Sequence, residues 1–280
     1  VTTIGYGDFF AKSLGARLCT LFFIVFVGLG AFTLLLGLLA DSLTDLIQKG
    51  KSGMAKVVHT NHIVIVNFPG ESRVRQVLRE LGSDPENAKR ELVVLTDQIH
   101  SLPFALKRVS FVYGSPLCRE SFDNANIANA HLVLILAPDY NSDHSDAVSS
   151  SIVSVVKDIN PKLFTVAECL EVSHRLLFEA TQCDSIVCGP QLSCNLLTQE
   201  VHDPGIAQTM EVITSNLIGP TVFSTDVSEA DVDYTSLAKQ LLDRGANVLS
   251  VIRKQETFTS FSGLRSMKQD RLVYVAQERY

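Results

Sequence analysis

The chain has 280 residues, with 24 Lys and Arg against 30 Asp and Glu, so its formal net charge at pH 7 is −6. This balance excludes a strongly basic nucleic-acid binder, because such a protein needs a surplus of cations to cover phosphates. Hydrophobic residues make up 46% of the chain and charged residues 19%, which excludes a disordered protein, and the length is typical of about two domains.

The chain opens with a motif that suits a dehydrated cation, Thr-Thr-Ile-Gly-Tyr-Gly-Asp at residues 2–8. A cation that has lost its water needs a ring of oxygen atoms, and backbone carbonyls form one where successive residues turn them the same way. Gly5 and Gly7 permit such a backbone because glycine adopts positive φ at little cost. The motif closely resembles the selectivity filter of potassium channels. The resemblance implies five ion-selectivity residues: Thr3, Ile4, Gly5, Tyr6 and Gly7.

In the family, the carbonyls of the first four of these residues coordinate K⁺. One chain supplies a quarter of each oxygen ring, so the resemblance implies a homotetramer. The family also places a membrane helix and a pore helix before the filter. Because this sequence begins at Val1, directly before the motif, we expect an N-terminally truncated chain in which residues 1–17 form the filter and the outer-mouth loop.

An uncharged run of 23 residues, 18–40, follows the motif. As a helix it would extend ~34 Å at ~1.5 Å per residue, enough to cross a hydrocarbon core of ~30 Å. A buried core helix is the alternative, but such helices rarely run this long without a charge. We therefore expect a transmembrane helix, and the resemblance implies that residues 18–47 form the inner, pore-lining helix.

Gly28 and Gly30 lie within this predicted helix. In the family a glycine in the middle of the inner helix acts as a gating hinge, so both are hinge candidates, although close helix packing in the membrane explains them equally well. Residues 48–58 predict a linker. The resemblance places the chain in the plasma (inner) membrane, with everything after the linker in the cytoplasm.

Residues 59–190 alternate short apolar runs with helical patterns. Val74 and Leu78, for example, recur at helical spacing between the first two runs. This alternation predicts an α/β fold with a doubly wound, Rossmann-like parallel sheet. The six predicted strands lie within residues 62–68, 91–97, 110–116, 130–138, 162–170 and 184–190.

The first strand-to-helix turn is where such sheets bind dinucleotide phosphates. The three glycine positions of the usual fingerprint hold Asn67, Pro69 and Ser72, and Glu71 adds an unfavourable negative charge. Asp97, by contrast, stands at the end of the second strand, where an acidic residue usually binds a ribose hydroxyl. The alternative is that Asp97 ends the strand and caps a turn. The nucleotide-binding candidates are Asn67, Gly70, Ser72, Asp97 and Gly114.

The order of filter, inner helix, linker and Rossmann-like domain resembles the RCK (regulator of K⁺ conductance) potassium channels of the prokaryotic, ligand-gated type. In their terms residues 59–190 are the N-lobe, 191–218 a helix-turn-helix crossover, and 219–280 a small α+β C-lobe. The resemblance implies that the RCK domains of the subunits assemble into a gating ring.

Calcium and nucleotides are the candidate gating ligands. Calcium-gated relatives use three carboxylates, and the matching positions here are Ala137, Glu168 and Leu170, so two acids are missing. Asp139 and Asp143 follow the fourth strand, and the divalent-cation candidates are therefore Asp139, Asp143 and Glu168. A solvated acidic turn at a helix start is the alternative. ADP, ATP or NAD is the other candidate ligand.

These patterns predict a subunit of a tetrameric, potassium-selective channel gated by ligand binding to a cytosolic RCK ring. The alternative is a regulatory, nucleotide-binding subunit of a potassium-uptake transporter, which would need no membrane span. A Rossmann-type oxidoreductase is a third hypothesis, but the altered glycine turn and the absence of a convincing catalytic set argue against an enzyme. The expected partners are the membrane, further copies of the chain and a small-molecule or ion ligand, with no nucleic acid.

Overall fold

The computed structural model describes residues 11–51, 53–254 and 256–280. The predicted selectivity residues, Thr3 to Gly7, lie outside them. Helix α1 (Leu14–Leu21) begins where the Ser13 side chain accepts a hydrogen bond of 3.3 Å from the amide of Ala16. A π-helical segment (Phe22–Leu29) and helix α2 (Gly30–Lys51) follow directly. The hinge candidate Gly28 therefore lies in the π-helical segment, and Gly30 begins α2.

Large apolar side chains along these first helices are exposed in the single chain. Phe26, for example, has an exposed fraction of 67%. Within the part of the chain that the structure describes, no helix combines the length and the apolar character needed to cross a membrane.

After these helices, strands β1 to β6 form one parallel sheet, in the order β3-β2-β1-β4-β5-β6. Reversal of the order at β1 is the mark of a doubly wound sheet, so the predicted α/β class is confirmed. The strands are β1 (Ile63–Val66), β2 (Leu92–Thr96), β3 (Val109–Tyr113), β4 (Leu132–Ile135), β5 (Phe164–Cys169) and β6 (Ser185–Cys188).

Both faces of this sheet are covered, as the continuous apolar strands require. Side chains alternate along β1, so Val64 and Val66 belong to one hydrophobic cluster and Ile63 and Ile65 to the other. The cluster that contains Ile63 includes residues of one α-helix. The cluster that contains Val64 includes residues of three α-helices. These helices are α3 (Glu71–Ser83) on the first face, and α4 (Arg119–Asn124), α5 (Ser145–Ile159) and α6 (Arg175–Ala180) on the second.

A helical pair and a second, smaller sheet complete the chain. Helices α7 (Gly189–His202) and α8 (Ile206–Thr214) are joined by a turn in which Gly205 has a φ of 104°. The second sheet is antiparallel, in the order β7-β10-β8-β9, with helix α9 packed beside it. Its elements are β7 (Thr221–Asp226), α9 (Tyr234–Asp243), β8 (Asn247–Arg253), β9 (Glu256–Phe258) and β10 (Arg271–Ala276).

The two sheets are joined through the far end of α3. The carboxylate of Glu80 accepts a hydrogen bond of 2.9 Å from the Ser215 hydroxyl and one of 2.6 Å from the amide of Asn216. These two residues lie between α8 and β7. Helix α3 therefore connects the first turn of the parallel sheet to the segment that leads into the C-lobe.

Candidate functional site

The carboxyl ends of β1 and β4 flank the point at which the strand order reverses. Ligands of doubly wound sheets bind in the crevice at this point, because the loops after the two strands diverge to opposite faces. Here the crevice is bordered by the turn of residues 67–70, by the first turn of α3 and by residues 136–140 after β4.

Asn67 ties the two central strands together at the floor of the crevice. It has a φ of 75°, and its buried side-chain amide donates a hydrogen bond of 2.7 Å to the carbonyl of Leu136. Asparagine tolerates this left-handed conformation better than most residues do. The structure therefore gives this nucleotide-binding candidate a structural role, and its amide is already engaged.

Gln98 bridges the mouth of the same crevice. The amide of Phe68 donates a hydrogen bond of 2.7 Å to the Gln98 side-chain oxygen, and the Gln98 side-chain nitrogen donates one of 2.9 Å to the carbonyl of Pro138. The Phe68 amide belongs to the turn that would hold a phosphate. A phosphate that accepted a hydrogen bond from the Phe68 amide would displace Gln98, a residue for which the sequence pattern gives no signal.

The other nucleotide-binding candidates have different surroundings. A Cβ atom at Gly70 would meet no atom within 4 Å, so the space beside the start of α3 is open. Ser72 and Asp97 are exposed. At Gly114 a Cβ would lie 2.4 Å from the Ser121 hydroxyl, so this glycine allows α4 to approach β3 and serves packing.

Glu168, at the end of β5, is the buried charge of the crevice, with 7% of its side chain exposed. Its carboxylate pairs with the guanidinium of Arg73 on α3, and it accepts hydrogen bonds from the Tyr140 hydroxyl and, at 3.1 Å, from the amide of Ala137. The Arg73 guanidinium also lies 4.6 Å from the centre of the Tyr140 ring. Burial and the bond to Glu168 raise the pKa of Tyr140 far above its ordinary value, so this phenol remains a hydrogen-bond donor.

The divalent-cation candidates do not fit a metal ion. Among residues 11–51, 53–254 and 256–280, no three His, Cys, Asp or Glu side chains are placed to hold one. Asp139 accepts a hydrogen bond of 2.9 Å from the amide of Asn141, as in an ordinary turn, and Glu168 already has Arg73 as its cation. Asp143 is exposed and forms no metal-binding group with Asp139 and Glu168.

The segment that leads from α2 to β1 is bonded to the N-lobe. The helix continues to Lys51, past its predicted end at residue 47. The carbonyl of Gly53 then accepts a hydrogen bond of 3.0 Å from the amide of Tyr113, and the amide of Val57 donates one of 2.8 Å to the carbonyl of Asn124. A cavity of about 650 Å³ lies between residues 55–59 and residues 101–111. Residues 53–57 of the predicted linker are therefore hydrogen bonded to the N-lobe at both ends.

Two family models match separate parts of the chain. Residues 58–167 match the calcium-activated potassium channel slowpoke-like RCK domain, and residues 1–45 match the ion channel family. The ion channel CASTOR of Lotus japonicus is 25% identical over 218 residues, which cover 72% of this chain and 25% of that protein. The calcium-activated potassium channel slo-1 of Caenorhabditis elegans is 24% identical, over 82% of this chain and 21% of that protein.

Two solved structures are similar to the chain, at different levels. The human SLO3 gating ring matches 78% of this chain and 44% of that chain, with a TM-score of 0.60 and 15% identity. The GsuK channel bound to NAD matches 99% of this chain and 49% of that chain, with a TM-score of 0.47 and 15% identity. The chain spans about a quarter of the length of the curated relatives that it matches. Residues 1–45 are thus similar to an ion channel segment and residues 58–167 to an RCK domain, in the order that the sequence resemblance predicts.

Proposed function

We propose that this chain is a subunit of a potassium-selective channel in which ligand binding to the RCK domain changes the force on the inner helix. The observation that carries the proposal is the bonded junction after α2. Because Gly53 and Val57 are hydrogen bonded to β3 and α4, a movement of the N-lobe must move the end of the helix. A flexible tether would absorb such a movement.

The first part of the chain supports a membrane location for this subunit. The uncharged run of residues 18–40 coincides with consecutive helical segments whose large side chains, such as Phe26 and Leu34, are exposed in the single chain. Exposed apolar surface of this extent requires a lipid or protein partner. In this proposal the inner helix lies in the plasma membrane, residues 3–7 coordinate K⁺, and the RCK domain is cytoplasmic.

Exposed apolar side chains on α7 and α8 support assembly with further copies of the chain. Leu197 and Val201 on α7 have exposed fractions of 67% and 80%, and Met210 on α8 is also exposed. Side chains of this kind favour burial against another protein surface. The proposal is a homotetramer in which this helical pair contacts a neighbouring RCK domain, as part of a gating ring.

The crevice at the strand reversal is the proposed ligand site, and a nucleotide such as ADP, ATP or NAD is the proposed ligand. Open space beside Gly70 and the half-exposed guanidinium of Arg73 suit a phosphate group. The site is proposed to bind and not to catalyse, since its buried carboxylate, Glu168, is paired with Arg73. The match of residues 1–45 to ion channels favours a pore-forming subunit over a regulatory subunit of a transporter.

Lengthening the junction tests the proposed coupling. Six Gly and Ser residues inserted between the exposed Met54 and Ala55 are expected to reduce the change in open probability that a nucleotide produces in the reconstituted full-length channel, while ion selectivity stays the same. The matched control carries the same insertion after the exposed Gly263. A nucleotide response that survives the junction insertion at full size would exclude transmission through this segment.

A further inference from the structure

The contact between Arg73 and Glu168 crosses the crevice in which the ligand is proposed to bind. Arg73 lies on α3, which follows β1, and Glu168 is the next-to-last residue of β5, on the other side of the strand reversal. The two residues are 95 positions apart in the sequence. Their ion pair therefore holds α3 against the second half of the sheet.

The two partners of this ion pair are unequally accessible. The Glu168 side chain is 7% exposed, whereas the Arg73 side chain is 48% exposed. A dissolved anion can therefore reach Arg73 without entering the protein. Glu168 has two other donors, the amide of Ala137 and the hydroxyl of Tyr140, so it does not lose every partner when Arg73 leaves.

Phosphate is an anion that suits an exposed arginine. The planar guanidinium donates two parallel hydrogen bonds to phosphate oxygens, in the same geometry as to a carboxylate. A phosphate at the open space beside Gly70 would also lie near the N-terminus of α3, where the helix dipole favours negative charge. Both groups then compete for the same guanidinium, and the carboxylate of Glu168 is the competitor built into the protein.

We propose that Arg73, Tyr140 and Glu168 form a latch that closes the crevice, and that a phosphate-bearing ligand opens it by taking Arg73 from Glu168. The latch lowers the affinity for the ligand, because binding must first break the internal ion pair. Release of Arg73 frees the first turn of α3 from β5. The far end of the same helix holds Ser215 and Asn216 through Glu80, so the change reaches the segment that leads into the C-lobe.

This inference deepens the proposed function by naming the group that responds to the ligand, and its test needs no ion current. The probe is ADP, and its binding to the purified full chain in detergent is measured by titration calorimetry. Glu168→Gln keeps the shape of the side chain and removes the charge that holds Arg73, so the affinity for ADP should rise about tenfold. Arg73→Gln removes the phosphate-binding group, and the affinity should fall about tenfold or more.

Two further variants make the result decisive. Tyr140→Phe retains the ring and removes one of the donors that remain on Glu168 when Arg73 leaves, so release of Arg73 becomes costlier and a fall in affinity, about two- to fivefold, is expected even if Glu168→Gln fails to fold. Arg271→Gln, which removes an exposed arginine on β10 in the C-lobe, is the matched control and should leave the affinity unchanged.

The opposite signs of the first two effects define the latch. An affinity of Glu168→Gln for ADP that equals or falls below that of the unchanged chain would overturn the proposal, as would an affinity of Tyr140→Phe that equals or exceeds it. Equal affinity of Arg73→Gln and the unchanged chain would overturn it as well. Potassium selectivity, measured without any ligand, decides the channel proposal separately.

Discussion

The amide of Tyr113 donates a hydrogen bond of 3.0 Å to the carbonyl of Gly53, which joins the segment after α2 to the last residue of β3. Gly53 has a φ of 71°, and a Cβ atom there would lie 2.4 Å from the Tyr113 nitrogen. A side chain at this position meets both a backbone conformation and a contact that disfavour it. The junction between the two functional parts of the chain therefore requires glycine.

Substitution of this glycine should loosen the junction. Gly53→Ala is expected to destabilise the N-lobe by about 1–3 kcal/mol, because Ala is strained at positive φ and the β3 backbone must move. The same variant should reduce the nucleotide response of the reconstituted channel. Thermal unfolding of the full chain and open probability in bilayers measure the two effects.

The matched control for this variant is Gly82→Ala, near the end of α3. A Cβ there would meet no atom within 4 Å, and Ala favours a helix over Gly, so no loss of stability is expected. If the two substitutions lowered the melting temperature equally, the strain assigned to Gly53 would be refuted.

In the C-lobe a buried carboxylate holds the last hairpin. Asp270 accepts hydrogen bonds of 2.8 Å from Arg253 and from the Tyr234 hydroxyl, and one of 2.9 Å from the amide of Met267. Asp270→Asn should cost about 2–4 kcal/mol of unfolding free energy, because it leaves the charge of Arg253 without its partner. Denaturant unfolding of the full chain measures the loss. The exposed pair of Asp226 with Arg271 provides the control, and Asp226→Asn should cost less than about 1 kcal/mol.

The same carboxylate makes stability depend on pH at the acid end. Hydrogen bonds from Arg253 hold the pKa of Asp270 at about 2, below its ordinary value of 3.8. Asp270 therefore makes its full contribution to the free energy of unfolding when the pH is above the ordinary pKa of an aspartate. This contribution is lost as the pH falls to the lowered pKa of Asp270. The difference in melting temperature between the unchanged chain and Asp270→Asn should shrink as the pH falls from ~5 to ~2. A difference that stays constant over this interval would show that the charge of Asp270 does not stabilise the fold.

Glu80 offers a test of the connection between the lobes. Both carboxylate oxygens of Glu80 accept a hydrogen bond, and Glu80→Gln replaces one of them with an amide nitrogen, which only donates. One of the bonds to Ser215 and Asn216 should therefore be lost. Hydrogen exchange of residues 215–226 should then be faster, while exchange in β1 and β2 stays the same. Glu278→Gln, at an exposed position of the C-lobe, is the control. Unchanged exchange in Glu80→Gln would mean that other contacts hold the two lobes together.

Much of the fold could be predicted because it rests on local patterns. Buried parallel strands such as β1 and β2 are continuous apolar runs, and the turn residues Asp203-Pro204-Gly205 predict the bend between α7 and α8. The short strand β9 was missed, since its three residues, Glu256–Phe258, carry no alternation long enough to detect.

The candidate site was harder to predict because its contacts join distant parts of the chain. The sequence makes Glu168 a candidate ligand for a divalent cation, but in the structure its cationic partner is the guanidinium of Arg73. No spacing rule connects these two residues in the sequence. Gln98 was missed for the same reason, since its partners Phe68 and Pro138 become neighbours only once the sheet has formed. Asn67 is a nucleotide-binding candidate by its position in the first turn, and its contact with the carbonyl of Leu136 likewise exists only in the folded sheet.

The central claim, a potassium-selective channel, is tested most directly by the reversal potential of the reconstituted full-length protein with K⁺ on one side of a bilayer and Na⁺ on the other. If residues 3–7 form a ring of carbonyl oxygens, K⁺ should be at least about ten times more permeant than Na⁺. Equal permeability of the two ions, or the absence of any current, would contradict the account.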